Sequence, residues 1–212
     1  MKVLCIIPAR YASTRLPGKP LREIAGKPMI VRVYERAVRA QRVHDVVVAT
    51  DDARICAAVE ACGGRAVMTR ADHATGTDRL AEVAAQMTDY DLIINVQGDE
   101  PLIDPAVIDA LVAPFLEDET LSMATAKTLL TDESEMANPN NVKVVADRAG
   151  NALYFSRARI PYARNAGAQV YKHIGIYAYR RDFLLDYARM AQTPLEVSES
   201  LEQLRALENG RS

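Results

Sequence analysis

The sequence predicts an α/β protein with a doubly wound, mostly parallel central sheet and a mixed or antiparallel extension in its second half. Short apolar runs rich in valine and isoleucine recur in the first half, and helical segments separate them. Because these runs lack polar alternation, they are typical of strands covered on both faces, as in a parallel sheet. In the second half, strand-like segments follow one another with little helix between them. Strands that alternate with helices favour right-handed crossovers and the doubly wound arrangement.

In the first half, the predicted strands are residues 3–7, 45–50 and 91–96, each a short apolar run. The helices between and after them are predicted to begin at residue types that favour helix starts. These starts are Pro28 for "PMIVRVYERAVRA", Asp51 or Asp52 for "ARICAAVEAC", Thr75 or Thr77 for "DRLAEVAAQM", and Asp104 with Pro105 for "AVIDALVAPF".

In the second half, the predicted strands lie in "NVKVVAD", "NALYFSRARI" and "KHIGIYAYR". Residues 148–151 are typical of a hairpin turn between the first two of these segments. We expect two closing helices, which begin at Arg181 and Glu196. The sequence shows no internal repeat, low-complexity segment or linker, so we predict a single domain over residues 1–212.

The composition excludes several classes of protein. The 212 residues carry a formal net charge of -2 and have a pI of about 6.0, so no overall positive field is available to hold nucleic acid. The apolar run at residues 3–7 is too short for a secretory signal or a membrane span. Cys5, Cys56 and Cys62 show no CxxC spacing, which favours reduced thiols over disulfides or a zinc site. We therefore expect a cytoplasmic protein that binds neither nucleic acid nor membrane.

The loop after the first strand is rich in cations. Residues 10–27 contain one acid, Glu23, and the basic residues Arg10, Arg15, Lys19, Arg22 and Lys27. Ligands collect at the carboxyl edge of an open α/β sheet, and a cationic loop there suits a polyphosphate. The loop is not a Walker P-loop, because Ser13 and Pro20 stand where that motif requires Gly and Ser or Thr. On composition alone, a solvated surface loop explains the charges about equally well.

The segment "NVQGDEP" places Gln97, Gly98, Asp99 and Glu100 directly after the third predicted strand, at the same sheet edge. A carboxylate at this position can bind Mg²⁺, which takes one or two protein carboxylates together with phosphate oxygens and water. Cations on one loop and a metal carboxylate on the next indicate phosphoryl or nucleotidyl transfer. The alternative for the two acids is a turn and helix cap before Pro101.

The polar segment "TRADHATGTDRL" leads into a predicted helix. N–H groups at that helix start, with the Thr75 and Thr77 hydroxyls, suit an anion or the edge of a base. His73 is a candidate general base, although a role as a surface hydrogen-bonding residue is favoured for a single loop histidine.

Basic residues lie among tyrosines in "YFSRARIPY" and "YKHIGIYAY". Arg157, Arg159, Lys172 and His173 would suit a hydroxylated, carboxylated ligand. The pattern alone favours a half-exposed strand with alternating faces.

Taken together, these segments resemble one family from end to end and in order. "IIPARYASTRLPGKPL", "TRADHATGTDRL", "NVQGDEP", "NPNNVKVV", "ALYFSRARIP", "KHIGIYAYR" and "LEQLRALENG" are similar to segments of the 3-deoxy-manno-octulosonate cytidylyltransferases, the CMP-Kdo synthetases. Other sugar nucleotidyltransferases usually open with Gly-Gly in place of "IPAR". The sialic acid branch shares "IPAR" but departs soon after it, so "STRLPGKPL" resembles the Kdo branch.

The resemblance implies a transferase of the nucleotide-diphospho-sugar transferase fold. Its reaction would be Mg²⁺-dependent transfer of CMP from CTP to 3-deoxy-D-manno-octulosonate (Kdo), which gives CMP-Kdo and pyrophosphate for lipopolysaccharide biosynthesis. The resemblance also implies a cytoplasmic homodimer. Residues 1–120 would then form the nucleotide-binding part of the domain, and residues 121–212 would serve sugar binding and dimerisation.

The resemblance implies a role for each of the following residues. The nucleotide-binding residues would be Ala9, Arg10, Ser13, Arg15, Lys19, Thr75, Gly76, Asp78 and Gln97. The sugar-binding residues would be Gln97, Arg157, His173, Tyr177, Glu202 and Gln203. Arg10, Lys19 and Asp99 would be catalytic, with Asp99 as the metal ligand.

The sequence departs from the family pattern at two places. Only "ARNAGAQVY" joins the "IPY" and "KHIG" segments, where family members usually have a longer connection. Family members also continue past the "ENG" position into a strand and helix whose "VDTPEDL"-like motif supplies a second metal carboxylate. The sequence ends at Ser212, so we expect either a truncated chain or further residues outside it, and the second carboxylate has no candidate here.

Two alternatives to Kdo transfer stay open at this point. The first is a cytidylyltransferase for another acidic sugar, such as sialic acid or an 8-amino Kdo analogue, because the cationic loop would serve any of them. The second is a non-catalytic nucleotide-binding module that kept the fold and lost the reaction.

Overall fold

The computed structural model describes residues 1–12 and 16–211, and within them the predicted apolar runs form strands. The strands are β1 (Val3–Ala9), β2 (Glu23–Ile24), β3 (Lys27–Pro28), β4 (Asp45–Thr50), β5 (Ala66–Met68), β6 (Leu92–Asn95), β7 (Met123–Leu130), β8 (Lys143–Ala146), β9 (Ala152–Ser156) and β10 (Val170–Arg180). The strand predicted at residues 45–50 has the observed bounds. β1 runs two residues further than predicted, and β6 is one residue shorter at each end.

Four helices of the first half follow the strands as predicted: α1 (Met29–Ala37), α2 (Ala53–Ala61), α3 (Gly76–Gln86) and α4 (Pro105–Val112). The later helices of the described residues are α5 (Pro114–Glu117), α6 (Glu133–Ala137), α7 (Arg181–Tyr187), α8 (Pro194–Glu199) and α9 (Leu204–Glu208), of which α5 and α6 were not predicted. Asp52, Thr75 and Asp104 are the N-caps of α2, α3 and α4, and each side chain accepts a backbone N–H of the first turn. Such caps satisfy N–H groups that have no partner within the helix.

The structure groups the residues into two compact units, and the first of these contains the parallel sheet. Unit 1 comprises Met1–Ala124 and Ile176–Ala188. Its strands lie in the order β5, β4, β1, β6, all parallel, and the last residues of β10 pair antiparallel with β6. β1, β4 and β6 are almost completely buried, as their unbroken apolar sequences require. This confirms the predicted α/β fold with a mostly parallel central sheet.

Unit 2 comprises Thr125–Gly175 and Arg189–Ser212. β8 and β9 form the predicted antiparallel hairpin, closed by hydrogen bonds from Asn151 and Gly150 to Asp147. The first residues of β10 pair antiparallel with β8, so the predicted antiparallel extension is also confirmed. A small core lies against the hairpin, formed by Val144, Phe155, Leu201 and Leu204.

The last predicted helix is wrong in its bounds. Instead of one helix from Glu196, the chain forms α8 and then α9, because Ser200 adopts a left-handed φ of +52° between them. The division into two compact units does not test the prediction of one domain over residues 1–212, which stays a prediction. No helix in residues 1–12 and 16–211 combines the length and apolarity that crossing a membrane requires.

Candidate active site

The ends of two parallel strands bring the predicted motifs to one edge of the sheet in unit 1. β1 pairs with β6 in parallel, with Ile6 opposite Asn95, so the chain leaves both strands at the same edge. A cavity of about 290 Å³ opens there. Its lining residues are Pro8, Ala9, Arg10, His73, Ala74, Thr75, Gly76, Arg79 and Gln97. The cavity thus brings together residues predicted to bind nucleotide from three separate segments of the chain.

Gly98 allows the two strand ends to lie this close together. A Cβ atom at this position would lie 2.6 Å from the carbonyl oxygen of Pro8 and 3.6 Å from the Cβ of Ala9. The first distance is far shorter than a normal contact, and a backbone oxygen cannot rotate away as a side chain can. Any side chain at this position would therefore push the "NVQGDEP" loop away from the end of β1.

Lys19 and Asp99, which were predicted on two separate loops, form an ion pair. Lys19 Nζ lies 2.5 Å from Asp99 Oδ2, and the side chains are 39% and 48% exposed. Gly18 has a left-handed φ of +69°, and its N–H donates to the carbonyl oxygen of Tyr11 at 2.9 Å. This turn begins the 3-10 helix Lys19–Leu21, which places the ammonium group beside the carboxylate. Glu100, the next acid, is exposed.

The other cations of the opening loop are not gathered at one place. Arg10 lines the cavity and is exposed, whereas Lys27 forms an ion pair with Glu35 of α1. Ser13 and Arg15, both predicted to bind nucleotide, lie outside the described residues.

The start of α3 forms one wall of the cavity. The Thr75 hydroxyl accepts the N–H of Asp78 at 3.1 Å, and the Asp78 carboxylate accepts the N–H of Thr75 at 2.9 Å. This reciprocal capping box fixes the first helical turn. Gly76 and Thr75 line the cavity, whereas the Asp78 carboxylate is engaged in the cap.

Arg79 is a cavity residue that the sequence analysis missed. Its side chain is only 4% exposed, and one guanidinium nitrogen donates to Asp51 Oδ2 at 2.9 Å. Another guanidinium nitrogen donates to the Thr69 hydroxyl. A signal was available, because position 79 lies one helical turn after Gly76 and therefore on the same face of α3.

His73 is half-buried, lines the same cavity and hydrogen-bonds Glu82 through Nε2. Burial acts to raise the pKa of Glu82, but hydrogen bonds from His73 and from the N–H of Arg70 hold that pKa below its ordinary value. Glu82 is therefore ionised at neutral pH and accepts the Nε2 proton. His73 is consequently oriented by a carboxylate, which a solvated surface histidine would lack.

The donor set at the cavity edge fits magnesium. Among the described residues, no group of three or more His, Cys, Asp or Glu is arranged to hold a metal ion. Asp99, two residues after the cavity residue Gln97, offers an accessible hard oxygen ligand, with its side chain 48% exposed. Because Mg²⁺ needs only one or two protein carboxylates when phosphate oxygens and water complete its shell, Asp99 suits an ion that arrives with a polyphosphate.

In unit 2, Arg157 binds backbone carbonyl groups. Its Nε donates to the carbonyl oxygen of Glu199 at 2.7 Å, and its terminal nitrogens donate to those of Pro139 and Ser200 at 3.2 and 3.3 Å. The Glu199 carboxylate in turn accepts the N–H of Arg157 at 2.9 Å. The guanidinium therefore ties the "NPNN" segment to the end of α8, a structural role that the alternating pattern did not indicate.

Lys143 holds the same segment from the interior. Its Nζ donates to the carbonyl oxygens of Asn138, Asn141 and Arg157 at 3.0, 2.6 and 2.6 Å. Burial lowers the pKa of this ammonium group. All three ammonium protons have acceptors, which is how a lysine can be buried while charged.

His173 lies in a small polar network in unit 2. Its Nε2 lies 2.8 Å from the Thr125 hydroxyl, and its Nδ1 lies 3.5 Å from Gln203 Nε2. The ring packs edge-on against Phe155, with centroids 4.9 Å apart. Burial lowers the pKa of His173 to about 4, so the imidazole is neutral at physiological pH.

The remaining predicted sugar-binding residues lie in both units. Gln203 is buried and adjoins His173, whereas Glu202 is half-buried and its Oε1 lies 3.7 Å from a guanidinium nitrogen of Arg205. Tyr177 belongs to unit 1, opposite Asn95 in the sheet and stacked on Tyr179 with centroids 5.8 Å apart.

Comparisons with known proteins agree over nearly the whole chain. A family model of cytidylyltransferases matches residues 4–212. A 3-deoxy-manno-octulosonate cytidylyltransferase of Geobacter metallireducens is 56% identical over 222 residues, which cover 99% of this chain and 87% of the relative. A protein of the same name from Fusobacterium nucleatum is 55% identical over 211 residues, which cover 99% of this chain and 86% of the relative.

Solved structures show the same likeness. A CMP:2-keto-3-deoxy-manno-octonic acid synthetase complexed with CTP superposes with a TM-score of 0.95 at 51% identity, over 99% of this chain and 87% of that one. A 4-diphosphocytidyl-2C-methyl-D-erythritol synthase from Anaerococcus prevotii has a TM-score of 0.63 at 13% identity, over 100% of this chain and 83% of that one. The second likeness concerns the fold alone.

Proposed function

The chain belongs to the 3-deoxy-manno-octulosonate cytidylyltransferase family, and from this premise we propose how its residues carry out the reaction. The enzyme transfers CMP from CTP to Kdo and gives CMP-Kdo and pyrophosphate. The observation that carries this assignment is the agreement of the whole backbone with that of a CTP-bound relative. The cavity between the ends of β1 and β6 and the start of α3 is then the CTP site.

The cations at the cavity edge neutralise the triphosphate. Arg10 lines the cavity, and Lys19 lies at the same sheet edge beside Asp99. Because both side chains are accessible, they can turn toward phosphate oxygens when CTP enters. Charge–charge repulsion between a triphosphate and the sugar carboxylate would otherwise oppose the reaction, and these cations offset part of it.

Asp99 would hold Mg²⁺, because its carboxylate is accessible and Mg²⁺ needs only one or two protein carboxylates. When bound, the metal would supply Lewis-acid stabilisation of charge on the phosphate oxygens. The carboxylate that would hold the metal is the one that Lys19 contacts in the absence of substrate. The ammonium group of Lys19, whose side chain is 39% exposed at that position, would then face the phosphates.

Arg79 and His73 suit the recognition of cytosine. Cytosine presents two acceptors, O2 and N3, to a donor such as the Arg79 guanidinium, whereas uracil carries a proton on N3. His73, held through Nε2 by Glu82, can offer Nδ1 as an acceptor for an amino group. A site that pairs such groups disfavours UTP, because the wrong base leaves buried polar groups without partners.

The residues of unit 2 are proposed to hold the sugar. The guanidinium of Arg157 has five N–H groups, and three of them donate to backbone carbonyl oxygens. The other N–H groups are proposed to bind the Kdo carboxylate. His173, Glu202 and Gln203 are proposed to meet hydroxyl groups. Tyr177 in unit 1 stays a candidate on the strength of the family resemblance. In the proposed step, the anomeric hydroxyl of Kdo attacks the α-phosphorus and pyrophosphate leaves.

We further propose a cytoplasmic homodimer that activates Kdo for lipopolysaccharide biosynthesis. Large apolar side chains are exposed in unit 2, among them Leu153, Tyr162 and Val197. Covering such side chains in an interface would remove their apolar surface from water. Sedimentation velocity on the purified protein tests this part of the proposal: a dimer is expected at micromolar concentration, and a monomer would contradict it.

Pyrophosphate release tests the function. With CTP and Mg²⁺, we expect release with Kdo and much slower release with sialic acid or an 8-amino Kdo analogue. Faster release with either analogue would reassign the sugar. CTP binding without release from any sugar acid would indicate a non-catalytic nucleotide-binding module.

A further inference from the structure

Thr125, on β7, contacts His173 and a backbone carbonyl group at the same time. Its Oγ1 lies 2.8 Å from His173 Nε2 and 3.0 Å from the carbonyl oxygen of Ile174. Both distances are those of good hydrogen bonds. Thr125 has no role in the proposed reaction.

These two contacts determine which imidazole nitrogen carries the proton. A carbonyl oxygen can only accept, so the single hydroxyl proton of Thr125 is directed to Ile174. The hydroxyl oxygen must then accept from His173, which requires a proton on Nε2. Because a neutral imidazole carries one proton, Nδ1 presents a lone pair.

The lone pair on Nδ1 in turn orients Gln203. The amide nitrogen of Gln203 is the group that lies near Nδ1, at 3.5 Å, and only this end of the amide can donate to a lone pair. The amide oxygen is therefore directed away from the ring. Phe155 packs edge-on against the imidazole and limits its rotation, so the ring cannot readily exchange the two nitrogens.

We propose that Thr125 is a positioning residue for the sugar substrate: through the tautomer of His173, its hydroxyl fixes the orientation of the Gln203 amide. In the proposed sugar site, this orientation would let the amide oxygen accept a hydroxyl group of the sugar. This inference rests on the proposed Kdo-binding role of His173 and Gln203. The chain of hydrogen bonds from Thr125 to Gln203 exists in the enzyme without substrate, so it can be tested separately.

The first measurement is nitrogen NMR of the enzyme with ¹⁵N-labelled histidine, without substrate. The chain has only three histidines, and a His173→Asn variant assigns the signals of His173. In the wild type we expect a protonated Nε2 and an unprotonated Nδ1 for His173. A proton on Nδ1 would overturn the inference whatever the substrate proves to be.

The second measurement compares Thr125→Val with Thr125→Ser. Valine keeps the shape of threonine and loses the hydroxyl, whereas serine keeps the hydroxyl. In Thr125→Val we expect the His173 signals to change and the KM for Kdo to rise about tenfold, the equivalent of one hydrogen bond of about 1.4 kcal/mol. The KM for CTP should stay within about twofold of the wild type, a change of less than half a kcal/mol. Thr125→Ser should restore both readouts.

The outcomes separate this inference from the proposed function. Unchanged His173 signals and an unchanged KM for Kdo in Thr125→Val would overturn the positioning role. If the signals change as expected but the KM for Kdo does not, Thr125 sets the tautomer of His173 but His173 does not serve sugar binding. The positioning role of Thr125 is then overturned, because its premise, the sugar-binding role of His173, has failed. Equal rises in the KM values for Kdo and CTP, retained in Thr125→Ser, would mean that Thr125 only supports packing.

Discussion

Lys19 and Asp99 neutralise each other across the two loops that form the candidate active site, with Nζ 2.5 Å from Oδ2. Both side chains are about half exposed, and an ion pair in such a position contributes at most about 1 kcal/mol to stability. Separating the pair therefore costs little, as the proposed roles of Lys19 and Asp99 toward CTP and a metal ion require.

The first prediction concerns Lys19. Lys19→Met should raise the KM for CTP and lower turnover by tenfold or more, roughly the effect of removing one charged hydrogen-bond donor. The free energy of unfolding should change by less than about 1 kcal/mol, because the ion pair is exposed. Lys27→Met is the matched control, since Lys27 lies on the same loop but pairs with Glu35 of α1. Equal kinetic effects in the two variants would contradict a specific role for Lys19.

The second prediction concerns Gly98. Gly98→Ala places a Cβ atom against the carbonyl oxygen of Pro8, so the two strand ends must separate. We expect a loss of about 1–3 kcal/mol in the free energy of unfolding and a rise in the KM for CTP. Gly175→Ala is the control, because a Cβ there meets no atom within 4 Å and the backbone φ is not left-handed. Calorimetry that shows equal melting temperatures for both variants would contradict the close approach.

The third prediction concerns Arg157, whose guanidinium binds three carbonyl oxygens. Arg157→Ala should raise the KM for Kdo far more than that for CTP, and should lower the free energy of unfolding by about 1–3 kcal/mol through the lost hydrogen bonds. Arg159→Ala removes a neighbouring exposed arginine that pairs with Glu133, and we expect little effect on either quantity. A change confined to the KM for CTP would contradict the proposal that Arg157 binds Kdo.

The fourth prediction concerns pH. Burial lowers the pKa of His173 to about 4, whereas an unfolded histidine titrates near 6.5. Between these values the unfolded chain binds the extra proton, so His173 makes the folded state lose stability as the pH falls from about 6.5 to about 4. Between pH 7 and pH 5 this loss is on the order of 2 kcal/mol.

The His173→Gln variant should lose this contribution, since glutamine does not titrate. Urea unfolding at several pH values therefore gives a smaller drop in the free energy of unfolding for the variant than for the wild type. Parallel curves for the two proteins would show that His173 is not buried in its neutral form.

Features that depend on local chemistry were predictable from the sequence. The sequence offers Asp51 or Asp52 for one helix start and Thr75 or Thr77 for another, and in the structure the Asp52 and Thr75 side chains accept N–H groups of the turn that follows. That the loops of Lys19 and Asp99 lie at one sheet edge followed from the rule that ligand-binding loops gather at the carboxyl ends of parallel strands, whereas their ion pair was not predicted.

Features that depend on distant partners were not predictable in the same way. The sequence of β7, "MATAKTLL", has weak apolar character, and its strand structure depends on pairing with β10. The position of Arg79 on the face of α3 that Gly76 occupies could be read from the sequence, but its burial depends on its partners Asp51 and Thr69. The break between α8 and α9 occurs at Ser200, a residue type that rarely takes a left-handed φ and so gives no signal.

The central claim is that Asp99 is the carboxylate that holds the metal for transfer at the edge of the CTP cavity. Its most direct test is the rate of pyrophosphate release from CTP and Kdo as a function of Mg²⁺ concentration, in Asp99→Asn and in the neighbouring control Glu100→Gln. Asparagine keeps the shape of the side chain and removes its charge. We predict a loss of about a hundredfold or more in turnover for Asp99→Asn, comparable to removing one preorganised charge stabiliser. CTP binding measured without metal should change little, and Glu100→Gln should be much milder. Near-normal turnover in Asp99→Asn, or equal losses in both variants, would contradict the claim and place the metal elsewhere.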